Sequence, residues 1–252
     1  MKKRLLTVVM LASALCLFTA CGSSDEDVRG EIVSEAEVVE DTVVDDVEES
    51  VVEVEEVNPE AEAELAEALE IETAEVTLGT VAENVYENAF IGIGCQFDSN
   101  WVFKTDEEIL ELNQFSKDLV GDEYKQLLEN APVIQDMMAT TADQSSNVNI
   151  AIEKLEGVNA LITEQKYAEL STPNLEGALE SMGLNIEYSE ISTVEFAGKE
   201  HTCIDIAGSI NGATICEKLV IIKVADRMIC VTMGKQENND FADIIECFYA
   251  LN

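Results

Sequence analysis

Side chains able to do covalent or acid–base chemistry are few in this 252-residue chain, and they are scattered. His201 is the only histidine, so any Ser-His-Asp or Cys-His relay has to run through it. It stands at the start of a predicted strand, just after the turn "AGKE", and reads as a structural or surface histidine. One histidine and no Cys-x-x-Cys leave no zinc ligand set. Glu107, Glu108 and Glu111 crowd one predicted helix and read as a solvated face. A glycosidase holds two carboxylates about 5 to 10 Å apart across a sugar cleft, and the aromatic cluster expected around such a cleft is missing. "GIG" at 92–94 lacks the following Gly, Lys and helix start of a phosphate loop, so its glycines mark a bulge or close packing. The sequence therefore offers no catalytic residue, no metal site and no cofactor site, and any ligand-binding residues stay unassigned.

The thiols need separate treatment. Of seven cysteines, Cys95, Cys203, Cys216, Cys230 and Cys247 fall in one predicted folded region. Five cannot all pair internally. Most sit on predicted strands among apolar neighbours, which favours buried free thiols. A structural disulfide to Cys95 or Cys247 and a redox-active thiol are the alternatives. Unpaired cysteines in an exported protein suit an environment that is not strongly oxidising.

The sixth, Cys21, has a different context. The chain opens Met1-Lys2-Lys3-Arg4, continues with an apolar run from Leu5 to Phe18 interrupted only by Thr7 and Ser13, and then reads Phe18-Thr19-Ala20-Cys21. A membrane helix needs roughly 20 apolar residues; this run is shorter and is followed at once by Gly22-Ser23-Ser24 and acids. That is the pattern of a signal peptide over 1–20. Phe18-Thr19-Ala20-Cys21 resembles the bacterial lipobox, with Phe18 in place of the usual Leu. The resemblance implies cleavage after Ala20 and a diacylglycerol thioether on Cys21, hence a lipid-anchored protein on the extracytoplasmic face of a bacterial cell membrane. Two or more acyl chains hold stably where one binds marginally, because each buried CH₂ contributes about 0.8 kcal/mol. A plain secretory signal is the alternative.

Residues 21–80 read as a lipidated N-terminus and an acidic stalk. From Gly22 to Thr80 there are 22 acidic residues and one basic residue, Arg29. "EVVEDTVVDDVEESVVEVEEV" repeats Val pairs between acids, with no long apolar stripe, so it cannot bury enough surface to offset the entropy of ordering. No stretch supplies the alternating ligands and central Gly of a calcium loop. A solvated spacer is the reading taken, with a loose cation-responsive tail as the alternative.

Residues 81–252 are one domain long and carry 30 acidic against 10 basic residues. Nucleic-acid binding needs a basic patch, and none is present. "AFIGIGCQF" predicts a strand at 89–97, followed by a turn into Trp101, which packs that strand on the sheet or lines a ligand groove. Thr105 to Glu108 fits a capping box, and Ile109, Leu112 and Leu119 predict a helix running to Gly121, with a second helix at "DEYKQLLENA". "PVIQDMMATT" and "NVNIAIEKL" predict a hairpin. Thr163 to Met182 is helical in pattern, with Pro173 predicting a break near Ser171 and Thr172 and Gly183 a stop.

From Leu184 four strands follow, at about 185–196, 199–208, 213–224 and 227–234. A type I′ turn at Asn211-Gly212 places Asp205 opposite Lys218, Cys203 opposite Val220, Cys216 opposite Ala207 and Cys230 opposite Ile221. One face then carries Ala207, Val220, Ile222, Val224, Val231 and Met233; the other carries Ile204, Ile206, Ile215, Leu219, Ile221 and Met228. Both faces need cover, and "DFADIIECFYALN" predicts a closing helix with Phe241, Ile244, Ile245, Phe248 and Leu251 on one side. The expectation is an α+β fold, an antiparallel meander with helices on both faces. Its element order resembles the PsbP-like fold over about residues 86–251, at the level of topology and without a diagnostic motif. The resemblance implies an accessory or binding role and carries over no functional residue. The function expected is a non-enzymatic binding module for a protein partner or small ligand; an enzyme of unrecognised type and a structural envelope component are the alternatives.

Overall fold

A computed structural model describes residues 75–116 and 121–251. Ala20, Cys21, the predicted signal peptide, most of the predicted stalk and Leu119 lie outside the described residues. No helix among the described residues is long and apolar enough to cross a membrane.

The fold is α+β, with two antiparallel sheets. The larger has seven strands in the order β4-β5-β6-β10-β9-β8-β7. Its strands are β4 (Trp101–Phe103), β5 (Val133–Thr141), β6 (Ser146–Lys154), β7 (Asn185–Phe196), β8 (Lys199–Ile210), β9 (Ala213–Val224) and β10 (Arg227–Gln236). The smaller has the order β1-β2-β3-β11, from β1 (Thr80–Ala82), β2 (Val85–Asn88), β3 (Ile93–Gln96) and β11 (Phe248–Ala250).

The meander has the predicted register. Asn211 and Gly212 take φ of 51° and 84°, the values a two-residue hairpin turn needs. Asp205 pairs with Lys218, Cys203 with Val220 and Cys216 with Ala207 across β8–β9, and Cys230 pairs with Ile221 across β9–β10. The two apolar faces follow from the strand period. One packs Val220, Ile222, Val231 and Met233 against Tyr86, Cys95 and Phe248 of the small sheet. The other packs Ile204, Leu219, Ile221 and Met228 against α3 (Glu164–Ser181) through Tyr167, Ala168, Leu175 and Leu179. Burying each such aliphatic side chain stabilises the fold by about 1.5–3 kcal/mol. Two short helices, α1 (Asp106–Leu112) and α2 (Asp122–Asn130), flank the first face, to which α2 contributes Leu128.

Four local expectations are corrected. Helix α1 begins at the predicted capping box, Thr105 Oγ1 accepting from the Glu108 N–H and Glu108 reaching back to the Thr105 N–H, but it ends at Leu112 rather than near Gly121. The Asn113 carboxamide pairs with both backbone groups of Gln135, at 2.7 Å each, and Gln114 follows at φ 57°. Pro173 does not break α3. It lies on the exposed side of the helix, and Thr172 Oγ1 donates to the Ala168 carbonyl one turn back, at 2.8 Å. The predicted strand at 89–97 begins only at Ile93, because Ala89 to Gly92 form a turn with Gly92 at φ 77°. The closing helix shrinks to α4 (Ala242–Ile245), and Phe248 to Ala250 instead pair with β3.

Candidate functional site

The residues that drew attention for chemistry are dispersed. His201 Nδ1 lies 3.0 Å from Glu164 Oε1, and the same carboxylate accepts from the backbone N–H groups of Lys223 (3.0 Å) and Thr202 (3.2 Å). This clamp ties the start of α3 to strands β8 and β9. Partial burial opposes ionisation of Glu164, but its hydrogen bonds outweigh that and hold it below the usual carboxylate range. Glu107, Glu108 and Glu111 are exposed on α1. Trp101 stacks on Phe97 at 4.4 Å, at the edge of the core.

All five cysteines are free, and burial pushes every one of these thiols above its ordinary value, Cys95 and Cys230 to about 12. Cys203 has the most polar setting, with Ser192 Oγ at 3.0 Å and Lys218 Nζ at 3.7 Å. Burial outweighs the lysine there. A nucleophilic cysteine needs the thiolate, and these surroundings disfavour it.

The structure instead assembles a groove that the sequence did not announce. It holds about 590 Å³ between residues 75–81 on one side and α1 and α2 on the other. Its walls include Val76, Leu78, Ile109, Leu110, Tyr124 and Leu128. The positions follow from helix period and strand end: Ile109 and Leu128 are the buried residues of their helices, and Val76 is inserted into the core. On its rim Lys125 pairs with Glu75, and Lys104 with Glu108 at 3.1 Å.

At the floor lies Asp136, set there by a bulge in β5 between Gln135 and Met137. Its carboxylate accepts from the Gly79 N–H (2.7 Å), from Asn88 Nδ2 (2.7 Å) and, through a short bond, from the Tyr86 hydroxyl. Asn88 Nδ2 also donates to the Thr77 carbonyl at 3.1 Å. Gly79 is required, since a Cβ there would lie 2.2 Å from the Tyr86 ring. Burial raises Asp136 above the ordinary carboxyl value despite the three donors, and it raises Tyr86 well above its own. Every oxygen of this acid is engaged in holding residues 77–88 against β5. A floor of that kind shapes a cavity but has no free acid or base to offer a substrate, and the remaining lining is mainly apolar. The arrangement can bind an apolar molecule by excluding water. Asp136 had a signal in the sequence: an acid out of alternation inside "PVIQDMMATT".

No protein-family model matches the sequence, and no curated protein does. Among solved structures the chain is similar to a Bacteroides thetaiotaomicron protein at a TM-score of 0.37 and 10% identity, covering 64% of this chain and 46% of that one. It is similar to the cyanobacterial PsbP (CyanoP) of Synechocystis at 0.35 and 10%, covering 69% and 98%. It is also similar to LpqN, described as involved in cell envelope biogenesis of Mycobacterium tuberculosis, at 0.31 and 10%, covering 64% and 83%. The aligned region thus spans less than half the length of the Bacteroides protein. Likeness at this level assigns no function, and the α+β architecture rests on the topology of the chain itself.

Proposed function

We propose that this domain is a non-enzymatic binding module, carried on an acidic stalk and held at the outer face of a bacterial membrane by a lipid on Cys21. Its ligand is a small, mainly apolar molecule received by the groove between residues 75–81 and helices α1 and α2. The observation that carries the reading is the groove itself: a volume of about 590 Å³, within the range of small-molecule sites, with apolar walls and a floor acid already saturated by hydrogen bonds. The anchor rests on the basic start, the short apolar run and Phe18-Thr19-Ala20-Cys21.

The test uses the full chain in detergent below its critical concentration and the neutral fluorophore N-phenyl-1-naphthylamine. Saturable fluorescence enhancement is expected, and Leu110→Glu and Leu78→Glu, both on partly exposed wall positions, are expected to weaken it about tenfold or more, since each buries an unpaired charge. Enhancement that is unchanged in both variants would remove the groove from the function.

A further inference from the structure

The mouth of the apolar groove is charged, and most of that charge is already committed. Besides the floor acid Asp136, the lining holds Glu75, Lys104, Asp106 and Lys125. Glu75 and Lys125 pair with each other, tying residues 75–81 to α2. Asp106 stands exposed in the first turn of α1, where the helix dipole favours a carboxylate. Lys104 is the remaining charge. Its side chain is 34% exposed, and its ammonium lies 3.1 Å from Glu108 Oε1.

That last pair is readily exchanged, because Glu108 does not depend on it. Glu108 Oε2 accepts from the Thr105 N–H at 2.8 Å and from the Thr105 hydroxyl at 3.0 Å, closing the capping box of α1. The bond from the Thr105 N–H is the largest influence holding this carboxyl below its usual range, ahead of Lys104. An exposed ion pair contributes little. The ammonium can therefore turn to another anion at small cost while α1 keeps its cap.

Lys104 also borders a second hollow, of about 230 Å³, and is common to the linings of both. The two linings differ in kind. The groove is walled mainly by apolar side chains, whereas the hollow combines Lys104 with the polar side chains of Thr140 and Gln144, beside Val102, Phe103 and Met138. Its one carboxylate is Glu108, which the cap already holds. Among the described residues, the hollow thus offers one exchangeable cation and two neutral hydrogen-bonding groups next to an apolar cavity. A neutral apolar molecule leaves that cation unused, and an ammonium head would be repelled by it.

Building on the groove reading above, we propose that the ligand is a single-chain amphiphile with a carboxylate head, the chemistry of a fatty acid. Its hydrocarbon chain fills the groove along Val76, Ile109, Leu110 and Leu128, and its carboxylate takes the place of Glu108 on Lys104. One exchangeable lysine matches one negative charge. Thr140 and Gln144 border the space in which the head sits.

The test displaces N-phenyl-1-naphthylamine from the full chain, in a constant nonionic detergent below its critical concentration, with dodecanoate, dodecanol and dodecylamine. It is run at about pH 8, where the carboxylate is ionised and the amine protonated. Dodecanoate is expected to displace the fluorophore at a concentration about fivefold lower than dodecanol, through a charge-assisted bond that dodecanol lacks, and dodecylamine to be the weakest. Lys104→Met is expected to abolish the advantage of dodecanoate while leaving the fluorophore and dodecanol unaffected, which also reports that the variant is folded. Lys166→Met removes the same charge from an exposed position on α3 and is expected to leave the advantage intact. Equal displacement by dodecanoate and dodecanol, a preference for dodecylamine, or an advantage that survives Lys104→Met overturns the carboxylate head and leaves the groove reading standing. Failure of the fluorophore itself to bind saturably overturns both.

Discussion

Two glutamates show how position, not residue type, sets behaviour. Glu164 is held by three donors and favours its charged form, so its contribution to stability is present above the ordinary carboxyl value and is lost as pH falls through its depressed one. Glu217 has no donor among the described residues, and burial raises it from 4.5 to about 7. Its sign is the reverse. Below 4.5 it is protonated in the folded and unfolded chain alike and costs nothing electrostatically. Between 4.5 and about 7 the unfolded chain gives up the proton while the folded chain retains it, and stability falls by an amount on the order of 3 kcal/mol at most. Glu217→Gln, which keeps the shape, is therefore expected to match the wild type at about pH 4 and to exceed it by up to that amount at about pH 8. Urea midpoints at the two pH values measure this, and an equal difference at both would contradict the unpaired, buried placement. Glu217 was within reach of the sequence: strand parity puts it on the face of Ile215, Leu219 and Ile221. What the sequence withholds is that, among the described residues, Gly234 and Ile206 rather than a cation lie opposite it, since that depends on the register of three strands together.

At the scale of elements, regular hairpins were legible and exceptions made by single contacts were not. The meander could be read because Asn211-Gly212 fixes one turn and the period of two then fixes every partner. Helix α1 could not be bounded, because its end is set by Asn113 bonding to Gln135, a residue 22 positions on. Phe248 to Ala250 carry a helical pattern but become a strand because β3 offers a free edge. Gly94 admits that neighbour closely: a Cβ there would lie 2.6 Å from the Tyr249 ring. Pro173 illustrates the limit of a rule about breakers. A proline removes one helical bond and crowds the preceding turn, but packing by Tyr167, Ala168, Leu175 and Leu179 on the opposite side of α3 keeps the helix whole. The tolerated cost should still be measurable. Pro173→Ala restores an N–H on an exposed turn and is expected to stabilise the domain by about 1–3 kcal/mol. A lower melting temperature for this variant would mean that the proline ring itself packs favourably.

For the whole molecule, the small sheet matters most and was least visible. Its strands have three or four residues each and come from both ends of the folded region, β1 to β3 from Thr80–Gln96 and β11 from Phe248–Ala250. No local pattern joins them. The groove inherits that difficulty, since one wall comes from residues 75–81 and the other from helices past β4. Charge, by contrast, was fully legible, and it constrains the proposed attachment to a membrane. With 30 acidic against 10 basic residues from Val81 on, and an acidic stretch before it, the chain is repelled by anionic headgroups. Electrostatic attraction therefore cannot retain it, and no described helix spans a bilayer. If retention rests on acyl chains at Cys21, it is insensitive to salt, because transfer of CH₂ groups from water is not screened. The wild-type protein is expected to stay in the membrane pellet through high-salt washing, whereas Cys21→Ala is expected to appear in the soluble fraction at any ionic strength. Retention of Cys21→Ala would assign the anchor to the uncleaved apolar run from Leu5 to Phe18, and release of the wild type by salt would assign it to a basic partner protein.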